Sequence, residues 1–422
     1  MKAVAKGGGY GGLMATLVSP TIEDVQWTIT EHFPRLWPGV EAALATVAQL
    51  KLKDAVNCPA LIYYAPPSAG KTTVIEMLDG HWITYRSDKF TPASFVTHQA
   101  NKSEKELGKI DLLPRIRYRC LLTPELAPTF SGREDQIRER LSVLITVLDG
   151  RGYTADSGAQ GKRGCTGDYL FSWLGATVPF QQRTWEIMGH MGSRLLFWRL
   201  PELEMTPEEL VREQEGPSYG KRVRECKTVL HAFLDGLFGS GPPTQKGVED
   251  GTATIRGAPW DANADPYPVK LWVARLAKLV CASRNLGERE SRVATLLTNF
   301  ARGLALLRGR TYLTPAELRR TIQVAVNSIP DEQRTVLVTL RRQGGILLVS
   351  DAEKIWWCSY DTAKARMERC HGPVMEFVKK GRSTHLRLQP DYGWYGQLPP
   401  EPDQPFATAS WLTEGLETNN LE

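Results

Sequence analysis

Short apolar runs alternate with stretches of helical period between residues 60 and 200. Ala60-Leu-Ile-Tyr-Tyr64, Trp82-Ile-Thr-Tyr85, Arg115–Leu122, Asp168–Thr177 and Leu195–Leu200 read as strands, the last two closed by Pro179 and Pro201. Between them, Val74, Ile75 and Leu78 space a helix that begins near Lys71, and Ile137, Leu141, Leu144, Ile145 and Leu148 stripe a helix over 132–148. Gln182 to His190 reads as another helix, and 102–110 as a charged one. Strands alternating with helices in this way predict an α/β sheet with helices on both faces.

The flanking regions have different patterns. Thr21-Ile-Glu-Asp24 reads as a helix start, and a helical stretch broken around Pro34 and Pro38 runs toward Leu50 with Val40, Ala43, Leu44 and Val47 on one face. Residues 206–238 and 268–328 are mainly helical, separated by a Gly-, Pro-, Asp- and Asn-rich insertion over 239–268. Beyond Ser328-Ile-Pro330 a compact module is expected. It has a helix over 332–343, a short one over 349–356, a third over 360–370 capped by Ser359, and two strands within 374–388 around Lys379-Lys380-Gly381-Arg382. The resulting organisation is an N-terminal arm and linker helix (1–50), an α/β core (51–203), a helical region (204–328), a C-terminal module (329–392) and a Pro-containing acidic tail (393–422). The glycine-rich start of the arm reads as mobile, and the end of the tail as disordered.

The candidate chemistry starts at the end of the first strand. Ala65-Pro66-Pro67-Ser68-Ala69-Gly70-Lys71-Thr72, followed by Thr73, fits the phosphate-binding pattern G-x-x-x-x-G-K-[ST], with Ala65 in place of the first glycine. Such a loop turns successive backbone N–H groups toward anionic oxygens, and the helix behind it adds its positive end. Lys71 is expected on the β- and γ-phosphates of ATP, and Thr72 on Mg²⁺. Hydrolysis also needs a carboxylate to polarise water. Glu125, after the strand that ends Leu121-Leu122-Thr123-Pro124, is the candidate. Thr123 stands where a metal-linked Asp is expected and offers a hydroxyl without charge, so Asp135 and Asp88 remain alternative contributors to the metal shell.

Charge and cysteine usage narrow the class. The whole chain carries +5, but its distribution is uneven. From Gln333 to Leu388 there are 11 Lys/Arg against 5 Asp/Glu, whereas Asp391 to Glu422 holds 6 acidic residues and no basic ones. The seven Cys are scattered without a C-x-x-C pair, which excludes a zinc ribbon and a disulfide framework and fits a reducing compartment. No apolar run reaches membrane-span length and no signal-peptide core is present, so the sequence predicts a cytoplasmic protein without membrane contact.

Taken in order, these parts resemble the AAA+ ATPase family over roughly residues 40–328, and within it the MCM helicases and MoxR-type ATPases, as found in mobile genetic elements. The resemblance implies an AAA+ core with an α-helical lid, ATP and Mg²⁺ as cofactors, and a homo-oligomer, a hexameric ring. Met191-Gly-Ser-Arg194 resembles the segment that carries the family's arginine finger, which puts Arg194 on the γ-phosphate of a neighbouring subunit, with Arg199 as the rival. Thr177 holds the place of sensor 1 at a strand end, and Arg292 that of sensor 2, with Arg289 as the alternative. The Gly-rich stretch 153–169 is placed like a family hairpin that reaches nucleic acid, with its turn at Gly158–Gly164 and Lys162 and Arg163 at the tip. The C-terminal module resembles a winged helix. Its third helix carries Lys364, Arg366 and Arg369, and its wing Lys379, Lys380 and Arg382, for DNA contact. These expectations add up to an ATP-hydrolysing motor on DNA, helicase-like. The alternatives are a MoxR-like remodeller that docks a protein partner through the winged helix, or an ATP-dependent recruiting switch.

Overall fold

The structure is a computed structural model and describes residues 19–98, 102–157, 161–192, 194–201, 205–242, 255–284, 289–380 and 383–398. The glycine-rich arm before residue 19 and the tail beyond 398 lie outside the described residues. Helix α1 (Ile22–His32) opens on a capping box, the Asp24 carboxylate accepting from the Thr21 N–H at 2.7 Å while the Thr21 hydroxyl caps the Asp24 N–H. Helix α2 (Trp37–Ala48) follows, with Pro38 in its first turn, where a missing N–H is tolerated.

The core contains β1 (Ala60–Tyr64), α3 (Lys71–Leu78), β2 (Thr84–Arg86), α4 (Glu104–Ile110), α5 (Leu112–Ile116), β3 (Cys120–Thr123), α6 (Ala127–Phe130) and α7 (Glu134–Leu148). It continues with β4 (Gly152–Ser157), β5 (Gly161–Thr166), β6 (Ser172–Thr177), α8 (Gln182–His190) and β7 (Leu195–Arg199). Five strands pair in parallel in the order β2-β3-β6-β1-β7. This is an α/β core, a parallel sheet between helix layers. Leu61, Tyr63, Leu122 and Leu174 point to the face packed with α2 and α3, whereas Ile62, Tyr64, Leu121 and Trp173 point to the face packed with α5, α7 and α8. Burial on both faces is why these strands read as unbroken apolar runs.

Three strand expectations shift, the first being Trp82–Tyr85, whose strand begins at Thr84. Leu112, Leu113 and Ile116 bury at helical spacing as α5, and Tyr118 turns the chain at φ 56°, so β3 begins at Cys120 rather than Arg115. β6 starts at Ser172, not Asp168.

The second half contributes α9 (Pro207–Glu215), α10 (Tyr219–Phe238), α11 (Tyr267–Arg284), α12 (Glu290–Leu306) and α13 (Leu318–Asn327). α12 lies against α2 so closely that a Cβ at Gly303 would sit 2.1 Å from the Ala45 carbonyl oxygen. α13 packs along β7. Glu41 of α2 is buried and takes a guanidinium on each oxygen, from Arg308 and Arg320, both at 2.6 Å. Of the 239–268 insertion, residues 243–254 lie outside the described residues. Arg256 pins its far end by donating to the carbonyls of Lys53 and Ala55, each at 2.6 Å.

The C-terminal module is α14 (Asp331–Arg342), β8 (Ile346–Leu348), α15 (Val349–Ile355), α16 (Tyr360–Arg369), β9 (Met375–Lys380) and β10 (Ser383–Leu388). The expected helix, helix, helix, hairpin order is present, with an additional strand that completes an antiparallel sheet β8-β10-β9. Tyr395, which the sequence places in the tail, is fully buried against this module. No helix among the described residues is long and apolar enough to cross a membrane.

Candidate functional site

The ends of β1, β3, β6 and β7 meet at one edge of the sheet, with Tyr64 level with both Thr177 and Arg199, and Thr123 level with Gly175. In open α/β sheets this carboxyl edge is where ligands bind. The loop 65–70 leaves β1 there and enters α3 through Gly70, whose φ of +85° is left-handed and whose absent Cβ would stand 2.8 Å from Leu36 Cδ2. Ser68 is also left-handed at φ 65°. Such a turn directs backbone N–H groups inward as an anion nest, and α3 starts immediately behind it.

Lys71 heads α3. Its side chain is buried and folds back over the loop, donating to the carbonyls of Ala65 at 2.6 Å and Pro66 at 2.5 Å. Burial pulls its pKa below the usual lysine value, and the Glu125 carboxylate opposes that shift. An ammonium held only by carbonyl oxygens inside an anion nest suits a phosphate. Thr72 beside it is exposed, whereas Thr73 turns into the packing against α10, 3.0 Å from the Tyr219 hydroxyl.

Glu125 is exposed, and its Oε1 accepts from the Ala127 N–H at 2.7 Å. Its position depends on Leu126, which packs over Gly175 so tightly that a Cβ there would lie 2.2 Å from Leu126 Cδ1. Thr177 sits next to the loop, its carbonyl accepting from the Ala65 N–H at 3.3 Å and its hydroxyl donating to the Val178 carbonyl at 3.1 Å. The loop, Lys71, Glu125 and Thr177 therefore converge at one edge.

Other expected site residues have partners of their own in the fold. Thr123 is buried, and its oxygen accepts from the Trp173 indole at 3.1 Å. Trp173 belongs to the sheet face away from α3, so Thr123 does not join Thr72 as a metal ligand. The chain's own donor set for Mg²⁺ is then the Thr72 hydroxyl, and phosphate oxygens and water would complete the shell. Of the alternative carboxylates, Asp88 pairs with Arg86 and Asp135 with Arg133.

Arg194 precedes β7 at the opposite edge of the sheet, roughly 16 Å along the strand from the loop edge. It is buried and bidentate on Asp149 at 2.7 and 3.0 Å, with a further bond to the Gly192 carbonyl at 2.6 Å. Within the chain this guanidinium is fully engaged by Asp149 and the Gly192 carbonyl. Arg292 lies at the same far edge, since a Cβ on Gly192 would fall 2.5 Å from its Nη1, so it is not a phosphate sensor in cis. Arg289 is exposed at the start of α12. Arg199, the rival finger, is at the loop edge but ties β7 to Asp331.

The predicted nucleic-acid residues also separate. The β4–β5 pairing runs to Ser157 opposite Gly161, residues 158–160 lie outside the described residues, and Lys162 and Arg163 stand in β5. Lys162 is exposed, but Arg163 is buried, paired with Asp111 at 3.2 Å and donating to the Thr97 carbonyl. In the C-terminal module, Lys364 and Arg366 are half-buried on α16, with Arg366 stacked 5.0 Å from the Trp356 ring. Arg369 pairs with Glu332, and Lys379 lies 3.7 Å from Glu368. The Lys380 side chain and all of Arg382 lie outside the described residues. Trp357, which the sequence reading passed over, stands almost fully exposed at 94% with φ 50° between α15 and α16.

The sequence reading also missed a cavity of about 950 Å³ beside the loop. Ala65 and Pro66 line it, together with Arg35, Arg199 and the α14 residues Arg334, Arg341 and Arg342. The signal was present as Asp331-x-x-Arg334-x-x-x-Val338-x-x-Arg341-Arg342, one face of a helix.

No family model matches the chain, and neither does any curated protein. Among solved structures it is similar to a "putative ATPase" from Cytophaga hutchinsonii, at 10% identity over 73% of this chain and 88% of that one, with a TM-score of 0.37. The α/β reading of the core, with a phosphate-binding-type loop at its edge, rests on this chain's own strand order and loop.

Proposed function

We propose that this chain is an AAA+-type ATPase that couples nucleotide hydrolysis to work on DNA. The observation that carries the reading is the loop at the sheet edge: Gly70 left-handed at the head of α3, and Lys71 buried on the loop carbonyls under the field of Glu125. Lys71 would exchange those carbonyls for the β- and γ-phosphates, and the Thr72 hydroxyl would meet Mg²⁺. Mg·ATP, when bound, would supply the anhydride bond and a metal charge that offsets the negative charge on the phosphate oxygens. Glu125, exposed at the rim, would orient water and take its proton, and Thr177 would fix that water from the neighbouring strand end.

The reading takes the order α14, β8, α15, α16 and the β9–β10 hairpin as a winged helix. In this reading Lys364 and Arg366 on α16 meet a groove, the basic wing meets phosphate, and Lys162 adds a contact from the β4–β5 hairpin. A homo-oligomeric, hexameric ring belongs to the same reading, with the trans cation supplied by a residue other than the Asp149-bound Arg194. The recruiting switch is a second reading. It is favoured by Thr123, whose place at the end of β3 offers the metal no carboxylate.

ATP turnover measured with and without single- and double-stranded DNA, beside native mass measurement, tests the proposal. DNA-stimulated turnover that Lys71→Ala abolishes is expected. Turnover indifferent to DNA, with no shift of DNA by the full chain in a gel, would sink the DNA reading. Nucleotide binding without turnover would favour the switch.

A further inference from the structure

The cavity beside the loop joins two parts of the chain that the sequence separates. One wall is the loop itself, through Ala65 and Pro66, and the opposite wall is α14 of the C-terminal module. On α14, Asp331, Arg334, Val338, Arg341 and Arg342 all line the cavity, a spacing that puts them on one helical face. Arg35 and Arg199 add two more guanidinium groups, so the lining carries five arginines against one carboxylate, Asp331.

That carboxylate fixes where α14 stands. Asp331 accepts from the Tyr64 hydroxyl and from Arg199. Arg199 stacks 4.3 Å from the Tyr64 ring centroid and donates to the Ile329 carbonyl at 3.1 Å. Arg334 donates to the Asn327 side chain at 3.2 Å. Tyr64 is the last residue of β1, immediately before Ala65, so α14 is registered directly against the start of the loop.

We propose that Arg341 and Arg342 are nucleotide-contacting residues. The C-terminal module supplies, in cis, a cationic wall facing a nucleoside triphosphate seated on the loop, and Asp331 is the positioning residue that holds this wall in place. The inference rests on the nucleotide reading of the loop. An anionic ligand is the class that this wall recognises, because guanidinium groups pair with phosphate oxygens through forked hydrogen bonds. On the same wall, burial, with Arg199 adding to it, brings the Arg334 pKa down to about 10. A polyphosphate entering from the loop side would relieve that repulsion. It would also make the module's seating on the core depend on whether nucleotide is present.

The test uses the full-length chain. Binding of a fluorescent methylanthraniloyl-ATP with Mg²⁺ is measured for the wild type, Lys71→Ala, and the double variant Arg341→Gln with Arg342→Gln. Hydrogen exchange of residues 331–342 is followed in the wild type with and without nucleotide. The expected results are loss of binding in Lys71→Ala, weakening of about tenfold or more in the double variant, and slower exchange along α14 when nucleotide is added. Wild-type binding that the double variant retains in full, with α14 exchange unmoved by nucleotide, overturns the inference and leaves the loop reading standing. Absence of binding in the wild type overturns both. Should the double variant fail to fold, the wild-type exchange result alone decides.

Discussion

Replacing Arg163 by alanine separates two roles for one residue. As a tip residue it would touch DNA phosphate and its loss would leave stability unchanged. In the fold it ties β5 to the junction of α4 and α5. Its side chain is 7% exposed and that of Asp111 3%, so the pair is buried. Among the described residues Asp111 keeps one other donor, the Thr97 N–H at 2.7 Å, and Arg163 also satisfies the Thr97 carbonyl. Truncating the arginine therefore strands a buried carboxylate with a single hydrogen bond, and breaking such a pair costs about 3–5 kcal/mol. Urea unfolding followed by tryptophan fluorescence reads this as a lowered midpoint for Arg163→Ala. Exposed Lys162→Ala should move the midpoint by less than about 0.5 kcal/mol. The double variant with Asp111→Ala should lose less than the sum of the two single changes, since no charge is left stranded. A loss below about 1 kcal/mol for Arg163→Ala, together with weakened DNA binding, would refute the structural role and restore the phosphate-contacting one.

Three further outcomes follow from particular contacts. Gly70→Ala forces a Cβ into a left-handed residue 2.8 Å from Leu36, so it should cost at least about 1 kcal/mol and abolish nucleotide binding, as calorimetry and the same fluorescent nucleotide can measure. Glu41→Ala removes the carboxylate shared by Arg308 and Arg320 and should destabilise the chain by about 3–5 kcal/mol in urea, whereas Glu41→Gln should cost less because its amide oxygen still accepts from one of the two guanidinium groups. Burial holds the pKa of His81 and of His231 below 6.5, with the Asp235 carboxylate partly opposing the shift at each. The unfolded chain thus binds more protons just below that pH, and stability present above it should fall as pH drops through 6.5 toward the lower folded values. His231→Leu should flatten that decline, and a urea midpoint independent of pH between 7.5 and 5.5 in the wild type would contradict it.

Local patterns were legible where local physics decides them. The run Ala60–Tyr64 had to be a strand buried on both sides, and Gly70-Lys71-Thr72 had to be a left-handed turn into a helix, because period, burial and φ are written in neighbouring residues. Loop, base candidate Glu125 and strand-end Thr177 were found in this way, since each follows a strand and parallel strands deliver their ends to one edge. Arginines were misread for the converse reason. Arg163, Arg194 and Arg292 look alike in sequence as cations near a motif, and which carboxylate or backbone each one meets depends on chain far away. Asp111 lies 52 residues from Arg163, and Asp149 lies 45 from Arg194. Folding committed Arg194 to Asp149, and alternation across the sheet turned Thr123 away from Thr72. The sequence by itself determined that a phosphate loop opens a helix behind a buried strand. Only the tertiary structure decided which charges surround that loop, because an ion pair forms between groups that folding, not chain proximity, brings within a few ångströms.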